Sequence, residues 1–194
     1  MHTVDWLPSY ERLDAYWGEV DRKWAPDFKV EPDLIVVHSA AVGNWPAEYL
    51  HNPVDKTNGH LCKDGVKRGI AAAHFAFYEG RTEKLRPGTT PPAALTFVQM
   101  ASLLHTCPHV GGSVCQDDEH PNRRSVGIEL PAKLNMRDQF LTLLNDLLEA
   151  VGTFKFWTTH KAIHPAKKTD PVAGSGFNLD WMTGTGLKFV GRRK

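Results

Sequence analysis

Residues 33 to 40 read "DLIVVHSA". Four consecutive apolar residues, three of them β-branched, lead into a histidine and two small residues. This is the pattern of a short buried strand that delivers His38 at its end. Moving outward, "SVGIEL" at 125–130 is a second short buried strand, closed by Pro131. "AAAHFAFYEGR" at 71–81 is a third, with Glu79-Gly80 marking a turn. Between these strands and the C-terminus lies "MRDQFLTLLNDLLEAVG". Its apolar residues Phe140, Leu143, Leu144, Leu147, Leu148 and Val151 have the spacing of one helix face, and Gly152 stands where a C-cap belongs. Strands alternating with helices predict an α/β fold, a single domain with a central mixed β-sheet flanked by helices.

Other stretches are less decisive. "ALTFVQMASLLH" at 94–105 suits a helix, or a strand followed by a helix, and its periodicity does not choose between them. "LRPGTTPPAA" before it is a proline-rich loop. "SYERLDAYWGEVDRKW" at 9–24 fits an amphipathic helix capped at Ser9, although Arg12 occupies the position where a capping box has Glu. The expected organisation is an N-terminal helical extension over 1–30 and a main domain over 31–194 that ends in the short basic tail "GLKFVGRRK". That tail reads as a solvated end or as an anchor for an anionic cell envelope.

Composition narrows the class. In 194 residues, 23 Lys and Arg nearly balance 22 Asp and Glu, so bulk charge points to neither nucleic acid nor membrane as a partner. No apolar run reaches the roughly 20 residues of a membrane span, and the start has no signal-peptide pattern, so synthesis in the cytoplasm is expected. The three cysteines Cys62, Cys107 and Cys115 form no CxxC pair, which favours buried thiols over a disulfide scaffold or zinc knuckle. A Cys107-Cys115 bridge stays open. Ten histidines are the unusual count, and position has to decide which of them matter.

The chemistry concentrates in "THKAIHPAKKTDP", residues 159–171. His160 and His164 are four apart, as on the helix of an HExxH protease, but Pro165 pushes His164 out of the α region and no Glu follows His160. The better set joins His160 to Asp170 through a loop that folds back, with His38 arriving from a distant strand end. Three protein ligands with an open fourth position is the arrangement of a catalytic zinc. Spacing alone is a weak signal in a histidine-rich chain.

The ordered motifs carry more. "IVVHSA", "AAAHFAF", "PHVGG", "NRRSVGIEL" and "THKAIHPAKKTDP" followed by "FNLDW" occur in the order found in the zinc-dependent N-acetylmuramoyl-L-alanine amidases. That group includes phage lysozyme-type amidases and shares its fold with peptidoglycan recognition proteins, and the chain resembles it over roughly residues 33 to 181. The resemblance implies zinc ligands His38, His160 and Asp170, with Glu129 and Lys168 as catalytic groups. It also implies His109, His74 and Asn122 around the substrate. His105 competes with His109, whose thirteen-residue separation from Asn122 suits the family better. Some members have a tyrosine before the second-strand histidine. Here Ala73 precedes His74, so the acid-base role falls on Glu129. His74 by itself reads as a structural residue packed at the sheet.

The implied activity is hydrolysis of the amide between N-acetylmuramic acid and L-alanine in peptidoglycan. The expected setting is a monomeric phage endolysin that acts on the cell wall after release from the cytoplasm. A cytosolic amidase of peptidoglycan recycling and a non-catalytic peptidoglycan-binding module are the alternatives. "GTGLKFVG" lacks the strand-turn-helix context of a nucleotide loop.

Overall fold

The computed structural model describes residues 3–12, 27–39, 59–61, 67–69, 73–78, 96–107, 109–110, 120–131, 135–165, 170–171 and 176–191. Among these residues nine strands are formed: β1 Glu11–Arg12, β2 Leu34–Ser39, β3 Gly59–Leu61, β4 Lys67–Gly69, β5 Phe75–Tyr78, β6 Thr96–Gln99, β7 Ser125–Leu130, β8 Phe156–Thr159 and β9 Lys188–Phe189. Helix α1 spans Arg137–Val151, and a single turn, α2, spans His160–Ile163. Seven strands make one sheet in the order β1-β6-β5-β7-β2-β8-β9, while β3 and β4 pair separately. β5 and β6 are antiparallel and the other neighbours in the large sheet are parallel, so the sheet is mixed. The α/β single domain with a central mixed sheet read from the sequence is the observed fold.

Three neighbouring strands are clamped at their beginnings. The Arg124 guanidinium donates from Nε to Asp33 Oδ1 at 2.6 Å and from its terminal nitrogen to Asp33 Oδ2, a two-pronged charged contact. The backbone closes around it. Asp33 and Leu34 donate to the Arg124 carbonyl at 3.1 and 3.2 Å, and Lys155 and Phe156 donate to the Asp33 carbonyl at 2.9 and 3.0 Å. β7, β2 and β8 therefore start level, with Leu34 opposite both Ser125 and Phe156.

Because side chains alternate across a strand, a common register sorts the residues of neighbouring strands onto common faces. Ile35 and Val37 of β2, Val126, Ile128 and Leu130 of β7, and Phe75 and Phe77 of β5 meet Phe140, Leu143, Leu144, Leu147 and Val151 of α1 in the main core. The opposite face carries Leu34 and Val36, which pack with Val110 and Ile163. A strand with cores on both sides has to be apolar throughout, which is why "LIVV" shows no alternation.

α1 follows its sequence pattern. Asn135 Oδ1 accepts from Arg137 N at 3.0 Å near its start, and Gly152 ends it in the left-handed region at φ 71°, donating to the Leu148 carbonyl at 3.1 Å.

Two readings of the sequence change. The helix expected to start at Ser9 does not begin there, because Glu11–Arg12 pair in parallel with Val98 and Gln99. The cause is Gln99, whose buried side chain accepts from Leu7 N at 2.8 Å and donates to the carbonyls of Asp5 and Ala101 at 2.9 Å each, tying this segment along β6. Leu7 enters the main core and Tyr10 donates to Asp146 of α1 at 2.7 Å. Residues 13–24 lie outside the described residues. "ALTFVQMASLLH" resolves as strand β6 followed by turns, with Leu104 N donating to Ser102 Oγ at 3.0 Å in place of a helical turn. Cys107 is a buried free thiol whose pKa burial pushes up, while Cys62 and Cys115 lie outside the described residues.

Leu144→Ala in α1 is expected to lower unfolding stability by ~2–5 kcal/mol, the cost of deleting a fully buried leucine side chain. Urea unfolding followed by circular dichroism reads this as a lower midpoint with an unchanged slope. A shift below about 1 kcal/mol would place this helix face outside the core.

Candidate metal centre and its histidine chain

His38 is the fifth residue of β2, on the face away from α1, and is 3% exposed. β8 runs parallel beside it and turns into α2 at His160. Thr159 caps that turn, its hydroxyl accepting from Ala162 N at 3.2 Å. Helical backbone ends at His164, which has φ −139° and precedes Pro165, as the proline requires. His164 therefore leaves the turn, and among the described residues its buried Nδ1 has no hydrogen-bond partner. The chain returns when Lys161 N donates to the Asp170 carbonyl at 2.8 Å, which sets the Asp170 carboxylate beside His160.

Three atoms converge. His38 Nδ1 and His160 Nδ1 are 3.1 Å apart, and Asp170 Oδ2 lies 3.2 Å from the second and 3.4 Å from the first. Among the described residues this is the one cluster of His, Cys, Asp or Glu able to hold a metal ion. Ligand atoms about 2.0–2.1 Å from a tetrahedral zinc stand about 3.3–3.4 Å from one another. The observed triangle has that size, and two imidazoles with one carboxylate are donors zinc accepts, so the residues fit the ion. For Asp170, burial alone would raise the carboxyl pKa. The His160 and His38 rings beside it outweigh that effect and hold the group well below the usual carboxylate range.

Behind this triangle the polar groups continue inward. His38 Nε2 is 2.9 Å from His109 Nδ1, His109 Nε2 is 3.0 Å from Ser125 Oγ, and Ser125 Oγ donates to the Pro121 carbonyl at 2.7 Å. His109 lies flat over Gly127, where an added Cβ would stand 2.7 Å from both Cγ and Nδ1 of its ring. The Gly127 backbone is not left-handed, so the glycine provides room. Burial, reinforced by His38 and His74 nearby, pushes the His109 pKa well down, with a backbone hydrogen bond to Ser125 acting the other way.

The remaining residues singled out in the sequence divide. Glu129 is partly buried and pairs in register with His38, so in this parallel pair the two side chains stand adjacent on one face. β7 is interior, between β5 and β2, so Glu129 is not on a sheet edge. His109 is in the cluster behind the triangle. Asn122 holds the backbone that presents His109: its Oδ1 accepts from Val110 N at 2.8 Å and its Nδ2 donates to the Val110 carbonyl at 3.0 Å. His74 is fully buried, its Nδ1 accepting from Gly127 N at 3.1 Å and its Nε2 donating to the His105 carbonyl at 2.9 Å. Both ring nitrogens of His74 are thus engaged by backbone groups. His105 pairs with Asp27 at 3.1 Å. Lys168 lies outside the described residues. Ser125 and Gly127 were missed in the sequence, although a glycine inside a strand signals close approach of another group.

The sequence matches no protein-family model and no curated protein. Its fold does match solved structures. A selenomethionine derivative of AmpD aligns with a TM-score of 0.59 at 22% identity, covering 93% of this chain and 96% of that one. The endolysin N-acetylmuramoyl-L-alanine amidase LysCS from Clostridium intestinale aligns with a TM-score of 0.59 at 15% identity, covering 95% and 99%. AmpDH3 from Pseudomonas aeruginosa gives 0.51 at 16% identity, covering 88% of this chain and 61% of that one. The chain has the type 2 amidase fold.

The buried histidines set a pH dependence. Burial lowers the His74 pKa from its ordinary 6.5 to about 4, opposed by the hydrogen bond to the His105 carbonyl. Below pH 6.5 the unfolded chain takes up a proton that folded His74 refuses, so stability falls as pH drops from 6.5 towards 4. One such group gives a slope of ~1.4 kcal/mol per pH unit. His109 acts in the same direction, whereas Asp170 contributes only at more acid pH, as its depressed carboxyl pKa is approached. His74→Gln is expected to be less stable at pH 7 and to show a shallower loss between pH 6.5 and 4 in urea titrations. An unchanged slope would mean that His74 is protonated in the fold.

Proposed function

We propose that the chain is a zinc-dependent N-acetylmuramoyl-L-alanine amidase that hydrolyses the amide between N-acetylmuramic acid and L-alanine in bacterial peptidoglycan. The observation that carries this reading is the triangle of His38 Nδ1, His160 Nδ1 and Asp170 Oδ2, with Glu129 in register beside His38. The fold shared with AmpD and LysCS supports it.

In this reading His38, His160 and Asp170 hold the ion. Zinc supplies a Lewis acid for the carbonyl oxygen and lowers the pKa of water towards about 7, the two things an unreactive amide lacks. Glu129 takes a proton from the attacking water on its carboxylate and returns one to the departing amine of L-alanine. Lys168, two residues before Asp170 in the sequence, would supply an ammonium for the negative charge that develops on the carbonyl oxygen, a contribution of ~2.7–4 kcal/mol for one such donor. The carboxylate of Asp170 offsets part of the metal's charge and so tunes the acidity it induces.

The setting we propose is host lysis by a phage endolysin, monomeric, made in the cytoplasm and acting on the wall after release. No helix among the described residues is long and apolar enough to cross a membrane. Mass spectrometry after digestion tests both levels. Intact sacculi releasing stem peptides that begin with L-alanine supports the lytic reading. Cleavage confined to small soluble muropeptides assigns the chain to recycling. Protein that takes up no zinc and digests neither substrate is a binding module.

The site variants separate binding from chemistry. Asp170→Ala is expected to lose zinc and activity together, and stoichiometric zinc in that variant removes Asp170 from the ligand set. Glu129→Ala is expected to keep its zinc while kcat falls by roughly 10²–10⁴. Near-normal turnover assigns the water to another group. Lys168→Ala is expected to keep zinc and KM and to lose kcat, because the charge it meets exists only during reaction. A rise in KM alone would make it a substrate-binding residue.

A further inference from the structure

We propose that His109 is a positioning residue that fixes the tautomer of His38, through a one-way chain of hydrogen bonds anchored on the Pro121 carbonyl. The proposal rests on the reading of His38 as a zinc ligand. It concerns which His38 nitrogen keeps its lone pair.

The direction of the chain follows from counting protons. A carbonyl oxygen only accepts, so the 2.7 Å contact between Ser125 Oγ and Pro121 O uses the single proton of the hydroxyl. Ser125 Oγ is then an acceptor towards His109 Nε2 at 3.0 Å, which puts the His109 proton on Nε2. A neutral imidazole has one N–H, so His109 Nδ1 accepts, and the 2.9 Å contact puts the His38 proton on Nε2. His38 Nδ1 is left with a lone pair, and this is the atom in the triangle with His160 and Asp170. Without the chain, the preferred site of the His38 proton would include Nδ1, hydrogen-bonded to Asp170, and a metal ion would have to displace it.

Two further features hold the relay. Asn122 bonds both backbone groups of Val110, which fixes the segment that carries His109. Gly127 leaves the space in which the His109 ring lies, since any Cβ there collides with Cγ and Nδ1 at 2.7 Å. The glycine, the asparagine and the serine of "NRRSVG" thus act on one ring. Partners of this kind behind a metal-bound histidine change metal affinity by roughly 10–100-fold.

The test uses the full chain. In metal-free wild-type protein at fixed pH, nitrogen-15 NMR of the histidine rings is expected to show His38 protonated at Nε2. His109→Phe keeps the ring shape and removes the acceptor. It is expected to shift His38 towards the Nδ1-protonated form and to weaken zinc binding by roughly 10–100-fold in a chelator competition. His109→Asn returns an acceptor oxygen near the position of Nδ1 and is expected to recover most of the affinity. Gly127→Ala displaces the His109 ring with its chemistry intact and is expected to reproduce the loss. Circular dichroism melting selects the variants that keep the native fold for comparison. Nδ1 protonation of His38 in the wild type, or an unchanged tautomer and zinc affinity in folded His109→Phe, overturns the proposal. If the wild type takes up no zinc, the functional reading fails, and the tautomers in metal-free wild type and His109→Phe still decide the relay.

Discussion

The paired contact between Arg124 and Asp33 sets the level at which three parallel strands begin, and that level fixes which strand residues face the site. Side chains alternate with a period of two, so slipping β7 by one residue against β2 would put Ile128 or Leu130 where Glu129 stands. It would also turn Gly127 away from His109. Register here is doubly determined, because Val126, Ile128 and Leu130 have to face α1 while Ser125, Gly127 and Glu129 face the histidines. The hydrophobic face holds the polar face in place.

The triangle draws on three kinds of backbone. His38 stands in a strand, His160 begins a capped helical turn, and Asp170 sits in a loop returned by a hydrogen bond to that turn's Lys161. Each is held by contacts other than the triangle itself, so convergence of three lone-pair atoms is imposed by the scaffold. Bringing such atoms within 3.1–3.4 Å of one another is unfavourable unless protons or a cation lie between them. A divalent ion held among these atoms would relieve that demand.

Much of this was readable along the chain. "LIVV" announced a buried strand with His38 at its end, the apolar face of α1 was legible residue by residue, and Pro165 correctly removed His164 from a helical pair. Other elements were unreadable because their causes are distant in sequence. Glu11–Arg12 are extended because Gln99 binds the backbone of Asp5 and Leu7, and no local pattern in "SYERLD" contains Gln99. His74 resembles a site residue by motif, yet both its nitrogens meet backbone from other segments.

The sequence by itself determined which residue types were available, where three of the strands and the long helix run, and that His38, His160 and Asp170 formed a candidate set. Those properties depend on periodicity, β-branching and proline, which act over a few residues. Only the tertiary structure decided that the three atoms form a triangle of tetrahedral size, that Glu129 lies beside His38, and that Gly127 makes room for a histidine chain ending on a carbonyl. Those properties are distances between side chains far apart along the chain, and strand register together with packing on both faces of the sheet sets them.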